Sequence, residues 1–312
     1  MPKYCNFFVT LECNDTCEFC SMWQNDTFPK PALMEPETKV SVPSENQENG
    51  TANLFAGSIL QKIKAQGVKY LNITGGEPLL RSDLDQILKQ AKQLGFYTIL
   101  TTNGILYSER ARQIVGLVDE LYFSLDYPID QEHDRSRGIE CFHQVIQSIH
   151  LAKELKEDPI INFTLTRDSV RFLPEMIELA TKIGVLVYFN PVYDYYGSQG
   201  FEPATIEHIK YYFKRSNVLM DLAMLELVKA KGNGVLFPRC RATETVLTVM
   251  PDGKFVKPCY FNQAGVQGRA DICSGCMRYP YMLPSFTRGI DKYFFINLFS
   301  NWVNNFKRRK KR

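Results

Sequence analysis

The sequence predicts an α/β fold, a partial (β/α)6 barrel of the TIM type followed by a small cysteine-rich C-terminal domain. Three observations carry this. Between about residues 55 and 190, segments with apolar residues at three- and four-residue spacing alternate with short runs that are apolar on both faces, the pattern of helices covering parallel strands. A loop, Cys13-Asn-Asp-Thr-Cys17-Glu-Phe-Cys20, follows the first strand-like run, and Gly75-Gly76 follows the next. A second set of cysteines, Cys240, Cys259, Cys273 and Cys276, comes after the alternation has stopped.

In chain order, Phe7–Glu12 reads as a strand that delivers Cys13 at its C-terminal end. Residues 21–54 turn polar, with Pro29, Pro31, Pro36, Pro43 and Asn49-Gly50, and read as an inserted loop or flap. Helix Phe55–Gln66 then leads to strand Lys69–Thr74, helix Asp83–Leu94 to strand Phe96–Thr101, and helix Ser108–Val118 to strand Glu120–Leu125. Helix Gly138–Leu155, strand Ile160–Thr166, helix Val170–Ile183 and strand Val185–Asn190 complete the series. Leu84, Ile87, Leu88, Ala91 and Leu94 show the helical spacing. Right-handed crossovers put every strand C-terminus at one rim, which gathers the cysteine loop, Gly75-Gly76 and Ser124-Leu-Asp126. Residues 1–200 make up this core. Residues 201–236 read as a helical bridge, 237–288 as the cysteine-rich domain with a hairpin turning at Asp252-Gly253, and 289–312 as an amphipathic helix with a basic tail.

The net charge of +3 is concentrated at one end. The six residues from Lys307 to Arg312 are all basic, and the remaining 31 Lys and Arg face 34 Asp and Glu. The body is therefore mildly acidic, which argues against broad nucleic-acid affinity. Nine cysteines, seven of them in two clusters, do not form a secreted disulfide framework in a chain this long. The N-terminus lacks the apolar core of a signal peptide, and no run of about 18 apolar residues offers a membrane span. A cytoplasmic, reducing location with metal-binding thiols is expected.

Three thiolates in a C-x3-C-x2-C loop can converge on one metal centre, and thiolate suits iron–sulfur clusters and zinc. Three protein ligands leave one iron of a cubane open to a non-protein ligand. A zinc knuckle that borrows a distant fourth ligand has the same local spacing. In Gly75-Gly76-Glu77-Pro78, the glycines allow close backbone approach and positive φ, Glu77 sets a carboxylate beside them, and proline fixes the exit. On its own, that tetrapeptide is also a common tight connection.

Taken together, Cys13-x3-Cys17-x2-Cys20 with Phe19 before the last cysteine, Gly75-Gly76-Glu77-Pro78, Thr101-Thr-Asn103-Gly104, Ser124-Leu-Asp126 and His133-Asp-Arg-Ser-Arg137-Gly138 resemble the radical S-adenosylmethionine (radical SAM) superfamily over residues 4 to about 190. The interval from Cys20 to Gly75 is longer than the resemblance leads one to expect, which is what suggests the flap. The resemblance implies that Cys13, Cys17 and Cys20 hold a [4Fe–4S] cluster whose fourth iron binds SAM. One electron then splits the sulfonium into methionine and a 5′-deoxyadenosyl radical that takes hydrogen from substrate. It further implies that Gly75, Gly76 and Glu77 receive the methionine ammonium. Ser124 and Asp126 would contact the ribose or carboxylate end, Arg137 (with Arg135 as competitor) would pair with the carboxylate, and Asn103 would orient polar ligand atoms. Cys240-x18-Cys259-x13-Cys273-x2-Cys276 resembles a twitch domain, the shortened form of SPASM, and implies one auxiliary [4Fe–4S] cluster. Zinc in a four-cysteine ribbon fits the same spacing.

Cys5 and Cys141 are expected in the core. The four histidines show no ligand spacing, and Tyr188, Phe189, Tyr193, Tyr195 and Tyr196 read as core packing or a substrate wall. In the tail, Phe295, Leu298, Phe299, Trp302 and Phe306 share one helical face ahead of the basic run. Docking on the barrel, an anionic membrane surface and RNA are the three readings of that helix.

The expected function is a radical SAM enzyme served by a flavodoxin- or ferredoxin-like electron donor, acting in peptide maturation or on a small molecule or lipid. Because the cysteine loop starts at residue 13, a peptide substrate is expected to need a separate recognition protein. A non-catalytic iron–sulfur or zinc scaffold is the alternative, and RNA modification ranks third.

Overall fold

The computed structural model describes residues 3–20, 51–192, 201–230, 240–256 and 282–311. Of the flap expected at 21–54, residues 21–50 lie outside the described residues, as do Tyr193, Tyr195, Tyr196, Cys259, Cys273 and Cys276, whereas 51–54 begin a helix.

The described strands form one open sheet. β1 (Tyr4–Thr10), β2 (Tyr70–Gly75), β3 (Tyr97–Thr102), β4 (Glu120–Ser124), β5 (Pro159–Leu165) and β6 (Leu186–Pro191) lie side by side and parallel. The helices between them are α1 (Thr51–Ala65), α2 (Leu84–Gln93), α3 (Tyr107–Ile114), α4 (Asp130–Arg137), α5 (Phe142–Glu154) and α6 (Leu173–Ile183). One face of the sheet packs under these helices. Cys5, Phe7 and Val9 of β1, Leu71 and Ile73 of β2, and Phe123 of β4 join Ile87, Leu88, Val145 and Ile149 of the helices in a single core, where apolar burial supplies the main driving force.

The opposite, inner face differs from the expected two-sided apolar strands. It carries a row of tyrosines, with Tyr4 stacked on Tyr70 at 4.6 Å, Tyr70 edge-on to Tyr97 at 5.5 Å and Tyr122 edge-on to Tyr188 at 6.1 Å. Asn72 donates to Asn6 above them at 2.9 Å. Tyrosine covers the inner face with ring area while its hydroxyl keeps a polar partner, as Tyr97 does with Glu120 at 2.9 Å.

Four expectations are corrected. The strand-and-helix rhythm does not stop at Asn190. After α7 (Pro203–Tyr211), β7 (Val218–Met220) pairs parallel with β6 inside the stretch expected to be a helical bridge, and α8 (Leu222–Lys229) follows, capped by Asp221 accepting from Met224 N at 2.9 Å. The hairpin β8 (Val246–Val249) and β9 (Phe255–Val256) is present, but β8 pairs parallel with β1 and so extends the barrel sheet. Gly138 does not begin a helix. It ends α4 with φ of 70°, and a separate helix, α5, starts at Phe142. Cys5 lies within β1, not before it, and is fully buried.

The last helix, α9 (Lys292–Lys311), is docked with its polar side inward. Asn297, Ser300, Asn304 and Lys307 are buried, whereas Phe295, Leu298, Phe299, Trp302 and Phe306 are each more than half exposed. The cause is the free edge of β7, whose backbone groups need partners. The Asn304 amide accepts from Met220 N at 3.4 Å and donates to Met220 O at 2.9 Å, as a neighbouring strand would. Lys307 donates to Val218 O at 2.7 Å and to Phe213 O, and Arg308 crosses to Glu120 and to the Tyr122 hydroxyl on the inner face. Replacing Asn304 with Ala strands both Met220 groups, so urea unfolding is expected to show a loss of about 1–3 kcal/mol, while exposed Asn305→Ala stays near wild type.

Candidate active site

The rim at the strand C-termini is built around the stem of the cysteine loop, which is seated by three glycines. A Cβ on Gly75 (φ 150°) would lie 2.1 Å from Thr10 O, and one on Gly76 would lie 2.0 Å from Glu12 O. Gly76 N donates to Thr10 O at 3.0 Å and Glu77 N to Glu12 O at 2.8 Å, so the β2 turn and the loop stem are hydrogen-bonded at backbone distance. At the far end, Thr16 N donates to Arg137 O at 3.0 Å and Glu18 N to Ser136 O at 2.9 Å. A Cβ on Gly138 would strike the Thr16 hydroxyl at 2.1 Å. The loop is thus bracketed by the β2 turn and the end of α4.

Within it, Cys13 is exposed, Cys17 is buried and Cys20 is half-buried. Cys20 N donates to Cys17 O at 3.0 Å, turning the chain so that Cys20 lies close enough to raise the Cys13 and Cys17 thiols. Burial pushes the Cys13 thiol up to about 11 and the Cys17 thiol up to about 12. Both thiols therefore carry protons at neutral pH, which a metal must displace on binding. Three thiols on one short loop suit a cluster held at three corners.

Arg137 ties the loop to the rest of the rim. Its guanidinium meets Asp126 at 2.5 Å, Asp15 at 3.3 Å and Cys17 Sγ at 3.5 Å, and lies 5.8 Å from the Phe19 ring. Burial works against the cation, but Asp126, Cys17 and Asp15 more than offset it and its pKa is raised. Burial likewise raises Asp15 against the pull of Arg137. The guanidinium expected to await a ligand carboxylate is thus engaged by two protein carboxylates. Arg135, its competitor, is exposed and paired with Glu132 at 2.6 Å.

Glu77 was expected to present a free carboxylate to an ammonium group. It is 2% exposed and turned inward, accepting from Leu79 N at 3.0 Å, the Thr102 hydroxyl at 2.7 Å and Asn103 N at 2.7 Å. It braces the β2 turn against the β3 turn. Asn103 carries the brace onward, its amide donating to Asn14 of the cysteine loop at 2.7 Å. Ser124 and Asp126 sit at the end of β4, both buried, with Asp126 accepting from Thr164 N at 3.3 Å.

Sequence reasoning missed Asp15, Asn14, Thr102 and His133. His133 is fully buried, its Nδ1 accepts from Asp126 N at 3.2 Å, and its Nε2 lies 3.5 Å from Cys141 Sγ. Burial lowers its pKa to about 4, so the ring is neutral and acts as a fixed acceptor. Asp15 carried a usable signal as the carboxylate between two ligand-spaced cysteines. Of the second cysteine set, only Cys240 is described, half-buried against the core.

Two outcomes follow. Gly76→Ala drives Cβ into a backbone oxygen that cannot swing aside. It is expected to cost about 1–3 kcal/mol and to lower iron uptake on anaerobic reconstitution, measured by iron and sulfide content, while Gly57→Ala, which meets only the Gln90 side chain, keeps it. Burial raises Glu77 from 4.5 to about 7, so the folded chain holds this proton more tightly than the unfolded one. Its stabilising contribution is complete below about pH 4.5 and is lost as pH rises to about 7, a change on the order of 3 kcal/mol. Urea midpoints of the metal-free protein should fall across that window, and Glu77→Gln should flatten the fall.

The profile of the radical SAM superfamily matches residues 7–168, just over half the chain. The chain is 28% identical over 290 residues to a probable GTP 3′,8-cyclase of Sulfurisphaera tokodaii, covering 86% of this chain and 84% of that one. Among solved structures, Streptococcus suis SuiB bound to S-adenosylmethionine superposes with a TM-score of 0.61 at 18% identity, covering 86% of this chain and 60% of SuiB. The enzyme anSMEcpe with bound AdoMet superposes with a TM-score of 0.58 at 14% identity, covering 95% of this chain and 88% of that one. Such low identities speak for the shared open barrel. The family profile, lying across the cysteine loop and the rim just described, decides the identity: this chain belongs to the radical SAM superfamily, enzymes that work with a [4Fe–4S] cluster and SAM.

Proposed function

We propose that Cys13, Cys17 and Cys20 hold the cluster and that the surrounding rim cradles SAM for radical generation on a nucleotide substrate. The observation that carries the first part is the bracketing of the cysteine loop between Gly75-Gly76 and Gly138. When bound and reduced, the cluster supplies the electron that splits SAM to methionine and the species that removes hydrogen from substrate.

The chain's own residues do the positioning. The Gly75–Glu77 backbone lines the ammonium end of SAM, while the Glu77 side chain fixes that backbone from behind through Thr102 and Asn103. Ser124 and Asp126 would stand at the ribose or carboxylate end of SAM, and His133 fixes the backbone beside them by accepting from Asp126 N. Arg137 neutralises Asp15 and Asp126 and keeps positive charge next to Cys17, which favours the thiolate that ligation requires. Exposed Cys13 marks the side from which a flavodoxin- or ferredoxin-like donor would deliver its electron.

For the substrate, the likeness over 86% of this chain to a relative named GTP 3′,8-cyclase favours GTP, with the new bond joining positions 3′ and 8. This reading stands above peptide maturation and lipid modification, whose support is fold likeness or the tail. The cysteines from Cys240 to Cys276 are proposed to carry a second, auxiliary [4Fe–4S] cluster.

The test is anaerobic turnover of the reconstituted full chain with SAM and dithionite, with and without GTP. Wild type should release 5′-deoxyadenosine, GTP should raise the rate and be consumed, and Cys17→Ala should lower release at least a hundredfold. Release without GTP consumption removes the substrate reading alone. Intact SAM beside a fully reduced cluster removes the enzymatic reading and leaves a scaffold.

A further inference from the structure

The outward face of α9 is largely exposed among the described residues, with Phe299 alone meeting the Phe213 ring edge-on, and its chemistry is specific. Phe295, Leu298, Phe299, Trp302 and Phe306 are 54–67% exposed. Phe295, Phe299, Trp302 and Phe306 follow one another at three- and four-residue intervals with Leu298 beside Phe299, a stripe about 17 Å long at helical rise. Exposed aromatic area of this extent on a globular surface marks an interaction site. This stripe is not a core face that failed to dock, because the helix is already anchored by the opposite side through Asn304, Lys307 and Arg308. Covering the β7 edge takes polar groups, and that assignment leaves the apolar side facing solvent.

Charge selects the occupant. Lys292 opens the helix, and Arg309, Lys310 and Lys311 close it, all exposed. Phe299 packs against Phe213 at 6.3 Å, and the residues after Phe213, Lys214 and Arg215, are exposed as well. No Asp or Glu lies between Lys292 and Lys311. A second copy would bring the same cations and no opposite charge on this helix. The rest of the chain carries 31 basic against 34 acidic side chains, so the attraction is local to this face. Aromatic and leucine side chains beside lysine and arginine are the composition of a helix lying in the headgroup region of an anionic bilayer.

We propose that α9 seats the folded enzyme on an anionic membrane surface, with Phe295, Leu298, Phe299, Trp302 and Phe306 entering the headgroup–acyl boundary and Lys292, Arg309 and Lys310 pairing with lipid phosphates. The helix lies in the plane and does not cross, in keeping with the absence among the described residues of any helix long and apolar enough to span. This inference is independent of the substrate, since α9 shares no residue with the rim.

The experiment is co-sedimentation of the full chain with vesicles of phosphatidylcholine and phosphatidylglycerol in equal parts, and with phosphatidylcholine alone. Two variants accompany it, Phe299→Ser/Trp302→Ser/Phe306→Ser and Arg309→Gln/Lys310→Gln/Lys311→Gln. All six positions are exposed, so circular dichroism and 5′-deoxyadenosine release should match wild type. Wild type should pellet with the anionic vesicles at least tenfold more than with neutral ones, and each variant should lose most of that binding. Failure of wild type to pellet overturns the proposal, as does pelleting that only the charge variant reduces, which would mark a general electrostatic contact. Light scattering that shows a dimer dispersed by the serine variant, without vesicle binding, assigns the face to a second copy and equally overturns it.

Discussion

The structure depends on how closely one backbone can lie against another. The stem of the cysteine loop rests on Gly75 and Gly76 at distances that exclude even a methyl group, and its far end rests on Gly138, where a Cβ would strike the Thr16 hydroxyl. Backbone contact at that range leaves the three cysteines little freedom to move as a group. A metal centre that must bind through three thiols and leave one corner open gains from a frame fixed before the metal arrives. Glycine at these positions therefore serves the loop first, and any ligand approach is built on top of that.

Electrostatics continue what sterics begin. Arg137 sits between Asp15 of the loop and Asp126 just after β4, a buried cation with two anions, and removing one member of such a group is more costly than never having built it. On the other side, the buried Glu77 carboxylate collects donors from Leu79, Thr102 and Asn103. The two devices differ in kind. Arg137 joins charges across elements distant in the chain, whereas Glu77 ties together two adjacent turns of the rim, and Asn103 links that brace to Asn14.

Much of this was legible in the residues. The alternation from 55 to 190 gave the strand and helix order, because each helix in that stretch except α4 has a clear apolar face. The rim followed from parallel topology alone, and it brought Cys13, Gly75, Asn103, Ser124, Asp126 and Arg137 into one neighbourhood. What escaped has identifiable causes. α4 is eight residues long with His133, Ser136 and Arg137 as its buried side, so apolar periodicity cannot find it. β7 is three residues within a helical stretch, below the length at which alternation means anything. The inward turn of Glu77 depends on Thr102 and Asn103, donors some 25 positions away that no local pattern connects to it. The inversion of α9 depends on an edge that exists only once β7 is known.

The pairing of β8 with β1 places Tyr4 beside Val246 and Phe7 beside Val249, nearly the whole chain apart. During synthesis the first strand can find β2 early, yet its other flank stays bare until residues near 249 have left the ribosome. Contacts so distant in sequence form late. The segment that carries the first cysteines is therefore completed by a strand made much later, and the nascent chain is exposed to edge-on mispairing until that strand arrives.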